Sequence, residues 1–376
     1  MRRTTLTSLL LMVCLTVAGT VGPCFADLPD TKLLVSLPQY SPTPDGMAID
    51  ASGDLIVACP NYGDPKQPAC LIRITPELKV SRWVTVPAMK ETGRACPMGI
   101  AFDPKGNLYI SDNQNWPTGN GDKGEINQGR ILRMKIRDGK VLSTTVVAQG
   151  ISHPNGVRYR DGKLYVTVSM LPKVKRKDGL LTSAVYVFPA EGKNITITNT
   201  LADKQILATF PTRNRHCQYG ADGLVFDSRG RLYIGNFGDG VLHRVTINKQ
   251  GKCASNEIFA RTDHDYSLDP AKPGFITEGI KAKMRTTDGI CIDKNDNIYV
   301  ADFSNNALAK VDTDGKITVV SQNGDTTGAG GLMDQPGEPI FWQGKLVVTS
   351  FDMVTGPDKV NSKHDKPYTI SYIKLP

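Results

Sequence analysis

A sixfold internal repeat constrains this chain more than any other feature. The copies read PDGMAIDASGDLIVAC from Pro44, PMGIAFDPKGNLYISD from Pro97, PNGVRYRDGKLYVTV from Pro154, ADGLVFDSRGRLYIGN from Ala221, TDGICIDKNDNIYVAD from Thr287 and PGEPIFWQGKLVVTS from Pro336. Each joins a short apolar strand, a tight polar turn and a second alternating strand. The turns use Gly, Asn and Asp, the residues that tolerate a positive φ. A third strand follows each pair, such as CLIRI from Cys70 or VLHRVTI from Val241, and a fourth precedes the next copy, such as RWVTVP or ITVVSQ. Four strands at a spacing of roughly 40–65 residues are the repeat of a propeller blade. The chain is therefore expected to be all-β, a six-bladed β-propeller. The sixth copy lacks a fourth strand, whereas KLLVSLP (Lys32–Pro38) precedes the first copy unpaired. This N-terminal strand is expected to close the ring as the outer strand of the last blade. A β-sandwich or two small β domains would leave six in-phase faces without a common ring to bury them.

The remaining composition agrees with one large β fold. The 376 residues are 40% hydrophobic and 22% charged, which excludes a disordered chain, a collagen or a heptad rod. The net charge of +8 is spread out. Its one dense cluster, Lys173, Lys175, Arg176 and Lys177, holds no aromatic residue and reads as a solvated loop rather than a nucleic-acid site. Arg2 and Arg3, the apolar run from Leu6 to Val21 and Cys24-Phe25-Ala26 read as a secretory signal peptide over residues 1–26. Residues 27–376 then form the propeller as a single domain, secreted or periplasmic, with no membrane segment after cleavage. A monomer acting on a small molecule is expected. Six cysteines remain in that part. Cys59 and Cys70 bracket the loop between the second and third strands of blade 1 and are expected to form a disulfide, with Cys96 as a competitor. Cys291 lies in an apolar strand pattern, and no CxxC pair suggests zinc.

The residues just before the six inner strands converge on one axis. They are Asp45, Met98, Asn155, Asp222, Asp288 and, in the last copy, Gly337-Glu338. Alignment of Gly344-Lys345-Leu346 on Gly162-Lys163-Leu164 puts Glu338 level with Gly156, one step after Asn155. Four carboxylates and one amide would then face one small space. Carboxylates that close raise one another's pKa unless a cation is present. Oxygen donors without Cys or His suit Ca²⁺ or another hard cation.

The repeat and these polar residues resemble the regucalcin–gluconolactonase family of six-bladed propellers over nearly all of residues 31–376. The family's Gly-Glu-x-Pro turn before a Trp-bearing strand is similar to Gly337-Glu338-Pro339-Ile340-Phe341-Trp342, here one residue shorter. Its Asn-Gly and Asp-Gly ligands resemble Asn155-Gly156 and Asp222-Gly223. The order around the ring agrees, while the Glu lies near the C-terminus here, as in a cyclic shift of a closed ring. The resemblance implies a divalent cation, Ca²⁺ foremost with Zn²⁺ or Mn²⁺ as alternatives, held by Glu338, Asn155 and Asp222. It also implies hydrolysis of a lactone or related ester, with Asp222 as base and Asp288 or Asp45 as rivals. The family's substrate-contacting Asn corresponds to Met98, which donates no hydrogen bond, and Asp288 is an added acid.

Other candidates flank this centre. His153 precedes Pro154-Asn155 and His216 lies in a loop before Asp222. Either could reach substrate, whereas His243 reads as structural and His264 and His364 as loop residues. The long connections Asp112–Gly129 and Thr262–Thr286 would cover the face with Trp116, Tyr266 and Phe275. No GxSxG elbow is present, which points away from acyl-enzyme chemistry. Two competing readings are a non-catalytic propeller that binds a ligand on this face and a strictosidine-synthase-like or phosphotriesterase propeller.

Overall fold

The structure is a computed structural model that describes residues 28–114, 127–272, 275 and 281–375. Residues 1–26, read above as a signal peptide, and Trp116 lie outside the described residues. The chain is all-β, and its sheets are the six blades of a propeller. Blade 1 runs Met47–Ile49, Leu55–Cys59, Cys70–Ile74 and Val80–Thr85 from the axis outward. Blade 2 uses Pro97–Phe102, Leu108–Asp112, Gly129–Arg137 and Lys140–Ile151, and blade 3 uses Pro154–Arg160, Lys163–Val168, Leu181–Pro189 and Ile206–Thr212. Blade 4 comprises Ala221–Phe226, Leu232–Asn236, Val241–Ile247 and Cys253–Arg261, and blade 5 Ile290–Ile292, Ile298–Asp302, Ala307–Val311 and Ile317–Gln322. Blade 6 takes Pro336–Trp342, Lys345–Ser350 and Thr369–Ile373, and its outer strand is Lys32–Ser36. All neighbours within these six four-stranded sets are antiparallel.

The turns form as their composition requires. Asp50, Asp103, Asp227 and Asp293 each end an inner strand. Each carboxylate accepts the backbone N–H groups two and four residues on, at 2.8–3.1 Å. In three of these turns the left-handed position is a glycine, Gly53, Gly106 or Gly230; in the fourth Asp296 occupies it at φ 63°. The side chain thus replaces a backbone turn and fixes the register of both strands.

The second strands Leu55–Cys59, Leu108–Asp112, Leu232–Asn236 and Ile298–Asp302 are buried at every residue. Both faces of a blade are covered because each packs against a neighbour. Six apolar clusters follow, one at each blade interface, from Ile56, Ile100 and Leu132 between blades 1 and 2 to Tyr299, Leu308 and Val348 between blades 5 and 6. No blade can bury its core alone, so the ring folds as a unit.

One strand has no counterpart in the repeat: Ile195–Thr196 pairs in parallel with Ala148–Gln149 and covers the outer edge of blade 2. The cysteines also depart from expectation. Cys59 and Cys70 stand directly opposite each other in register, but both are free thiols. They pack as small apolar side chains in the core between blades 6 and 1.

Lys32 faces Tyr372 and Ser36 faces Thr369, so the N-terminal strand supplies the ladder that blade 6 lacks. Leu34 from this strand enters the core with Met47, Val57 and Ile370. A chain lacking residues through Ser36 is expected to leave Thr369–Ile373 as an open edge and to accumulate in the insoluble fraction. Leu34→Ala, which keeps the strand, is expected to cost about 2–4 kcal/mol in denaturant unfolding. Full-length stability of both variants would break this account of ring closure.

Candidate functional site

The inner strands approach one another at backbone distance around the axis. A Cβ on Gly99 would fall 2.7 Å from the Asn155 carbonyl oxygen, and one on Gly223 2.5 Å from that of Asp288. Gly46, Gly156 and Gly289 meet their neighbouring blades in the same way. Only glycine fits a contact this close. Glu338 takes the sixth position of this glycine level, with its Cα 2.6 Å from a Cβ placed on Gly289. This is the level that alignment with Gly156 implies.

One residue above the glycines lie the side chains of Asp45, Met98, Asn155, Asp222 and Asp288, all at least nine-tenths buried. Backbone hydrogen bonds hold the level in place: Gly223 N donates to Asp288 O at 3.2 Å, and Gly289 N donates to Gly337 O at 3.1 Å. Thr349 Oγ1 ties blade 6 to the Asp45 carbonyl at 3.1 Å. The Asn155 amide nitrogen donates to Asp222 Oδ2 at 2.9 Å. The carboxyls of Asp222 and Asp288 are close enough to influence each other's titration, and a hydrogen bond between them would require one to hold a proton.

Burial and mutual repulsion set the electrostatics. Burial, then the charge of Glu338, pushes Asp45 up to about 7. Burial, followed by the neighbouring carboxylates, raises Asp222 and Asp288 well above the ordinary range. Glu338 is also raised by burial, but Arg158 counters this. Arg158 reaches across the channel from blade 3, with Nη2 2.5 Å from Glu338 Oε1 and 3.2 Å from the Ile290 carbonyl oxygen. Within the expected trio of Glu338, Asn155 and Asp222, two members already have protein partners. Glu338 is committed to a guanidinium one level below, and Asn155 turns its N–H groups toward Asp222. Among the described residues no three acidic, imidazole or thiol groups stand at metal-binding distance.

Above this floor is a cavity of about 180 Å³. Asp45, Asn155, Asp222 and Asp288 line its base, while Met98, Tyr219, Phe237, Phe303 and Phe351 form most of its wall. Those rings stack edge to face or at a tilt, Phe237 on Phe303 at 5.4 Å and Phe303 on Phe351 at 5.7 Å. Lys359 completes the lining, paired with Asp358 at 2.5 Å. Cys217 also lines the cavity, but burial pushes its thiol up to about 11, so it offers no thiolate at neutral pH.

The other candidates are placed elsewhere. His153 is buried beside Ser152, with Nδ1 2.9 Å from its hydroxyl, and burial pushes it down to about 4. It packs edge-on against Tyr219 behind the wall rather than lining the cavity. His216 is exposed and lines a neighbouring crevice with His264 and Phe275. Tyr266 donates its hydroxyl to the Asp239 carbonyl, away from the acids. Sequence reasoning missed Arg158, Tyr219, Lys359 and the aromatic wall. The wall had a legible signal: Asn236-Phe237, Asp302-Phe303 and Ser350-Phe351 each follow a second strand at the same position of the repeat.

No protein-family model and no curated protein sequence matches the chain. Solved structures do resemble it. A gluconolactonase from Xanthomonas campestris aligns with TM-score 0.54 at 14% identity, covering 93% of this chain and 96% of that one. The calcium-binding protein regucalcin from Agrobacterium tumefaciens aligns at 0.52 and 14%, covering 92% of each chain. A PQQ-bound aldose sugar dehydrogenase from Streptomyces coelicolor aligns at 0.54 and 15%, covering 92% of this chain and 98% of that one. The structural neighbours thus include the gluconolactonase and regucalcin propellers, and at this identity the likeness is one of fold.

The acid level generates a pH dependence. Asp45, Asp222 and Asp288 all titrate higher in the folded ring than the ordinary carboxylate value near ~4 of an unfolded chain. Their contribution to stability is complete below that value and is lost as pH rises through the folded values, near 7 for Asp45. In chelator, the protein is expected to lose roughly 2–4 kcal/mol of unfolding free energy between pH 5 and pH 8. Asp288→Asn should flatten that fall; an unchanged slope in denaturant titrations would show that the ring acids do not repel one another.

Proposed function

We propose that this chain is an exported, cation-dependent hydrolase of a lactone or related ester. The observation that carries the reading is the convergence of Asp45, Asp222, Asp288 and Asn155 on the floor of an apolar-walled cavity. The donor set fits a hard divalent cation, Ca²⁺ before Zn²⁺ or Mn²⁺. It is all oxygen, its acids repel one another, and one guanidinium, on Glu338, is the compensation within the ring. Asp222 and Asn155 would hold the ion, with Asp45 and Asp288 level with them and Glu338 joining on release from Arg158. A bound cation would polarise the substrate carbonyl and neutralise charge that develops on its oxygen.

The chain's own groups supply the rest. The Asp222–Asp288 pair holds one proton between two carboxyls, so its ionised member can take a proton from an attacking water and its protonated member can return one to the leaving alkoxide. Asp45, poised near neutrality, holds further negative charge beside them. Phe237, Phe303 and Phe351 exclude bulk water and pack against the apolar part of the substrate. Met98 presents an apolar surface where a polar sugar contact would need a donor. This favours a lactone or ester with a hydrocarbon flank over a polyhydroxylated one. Arg2, Arg3 and the apolar run from Leu6 support export.

The test is a panel of alkyl lactones, sugar lactones and aryl esters assayed with and without chelator. Turnover should need the cation and favour alkyl-substituted substrates. Asp222→Asn and Asp288→Asn should each lower kcat by about 10²–10⁴. Absence of hydrolysis across the panel with every metal, combined with unimpaired binding of a small apolar ligand, would leave a binding propeller instead.

A further inference from the structure

A second group of acids lies on the same face, above blade 6 and outside the central cavity. Asp334 precedes the inner strand of that blade, Asp352 follows its second strand, and Asp325 and Asp365 lie on the adjoining loops. Asp334 is 1% exposed, and both of its carboxylate oxygens are buried with no hydrogen-bond partner. Thr369, which opens the third strand, has an equally orphaned hydroxyl. The two face the same glycine: a Cβ on Gly328 would lie 3.0 Å from Thr369 Oγ1 and 3.7 Å from Asp334 Oδ2. The other carboxylates are held in place around them. Asp352 accepts from the Asp365 backbone N–H at 3.0 Å and stands 3.4 Å from His364 Nδ1, while Asp325 accepts from Ser362 Oγ at 2.5 Å.

Leaving a buried carboxylate without a donor or a counter-ion is costly, and folded proteins satisfy such groups with a partner, a water or an ion. Here the nearest charges make matters worse. Burial first, then the charges of Asp352, Asp325 and Asp365, push Asp334 up to about 8. No protein group among its neighbours turns a donor to it.

We infer that Asp334, Asp352 and Thr369, with Asp325 and Asp365 from the loops, form a second cation site, and that its ion is Ca²⁺. The candidate donors are carboxylate and hydroxyl oxygens, without a thiol, and the neighbouring imidazole is turned toward Asp352. That chemistry selects a hard cation over a transition metal. As the loops stand, no three acids surround one point. Asp334, Asp352 and Thr369 are anchored beside strands, whereas Asp325 is exposed and Asp365 half-buried on loops that can close inward. An ion here would join three parts of the molecule. The Asp325–Asp334 loop carries Gly331, whose carbonyl accepts from Thr31 Oγ1 at 2.7 Å beside the closing N-terminal strand. The segment between Asp352 and Asp365 carries Thr355 and Lys359, which line the central cavity. The site would therefore stabilise ring closure and hold one side of the cavity wall.

The experiment uses the full chain with Asp222→Asn and Asp288→Asn, which silences the central acids and separates this site from the proposed hydrolytic one. That background should still take up a single Ca²⁺ by calorimetry, and its melting temperature should climb with calcium concentration. Adding Asp334→Asn should abolish both responses, yet in chelator it should melt no lower than its parent because the carboxyl it replaces has no hydrogen-bond partner to lose. Asp325→Asn, on an exposed loop, should leave the calcium-free melting temperature unchanged and weaken calcium binding about tenfold; it carries the test if the Asp334 variant does not fold. A background protein indifferent to millimolar Ca²⁺, an undiminished response with Asp334→Asn, or unaltered affinity with Asp325→Asn would overturn the assignment.

Discussion

The close approach of six backbones around one axis is the constraint on which the rest of the structure depends. Gly46, Gly99, Gly156, Gly223 and Gly289 let each inner strand touch the next at a distance no Cβ would allow. That approach places the residue before each glycine within reach of its neighbours, and it lets the apolar faces of adjacent blades close into the six interface cores. The same geometry that buries the core therefore crowds Asp45, Asn155, Asp222 and Asp288 together. Fold and site are two consequences of one packing solution.

Crowded acids must be reconciled with burial, and the molecule uses three devices. One is the raised proton affinity of the neighbouring Asp222 and Asp288, which lets a proton offset their mutual repulsion. Another is the amide of Asn155, which donates to Asp222 without adding charge. The third is Arg158, which crosses the channel to Glu338. Arg158 pairs with Glu338 and leaves Asp45, Asp222 and Asp288 without a cationic side chain of their own among the cavity's basal residues. The aromatic wall adds to the effect: burial beneath it raises the proton affinity of Asp45, Asp222 and Asp288.

Much of this was legible in the sequence because a repeat carries its own register. Six in-phase copies implied the number of blades, the spare strand Lys32–Ser36 implied how the ring closes, and the residues before each inner strand implied a common axis. The pairing of Lys32 with Tyr372 follows that logic. The aromatic wall was legible too, in the Phe that recurs after three second strands, but it reads as ordinary core until the cavity is seen. Arg158 carried no such signal, since its target lies 180 residues away across the axis. The short strand Ile195–Thr196 was equally hidden, because it serves the edge of a preceding blade rather than its own repeat.

Sequence alone thus determined the blade count, the mode of closure and the convergence of acids, all of which follow from periodicity and strand pairing. Tertiary structure decided the charge partners. It turned Glu338 to Arg158, withdrew His153 behind Tyr219, left His216 on the rim and packed Cys59 and Cys70 as core thiols. It also left the carboxylate of Asp334 buried without a donor. These outcomes rest on side-chain reach and burial between residues far apart in the chain, and the spacing of residues along the chain does not encode them.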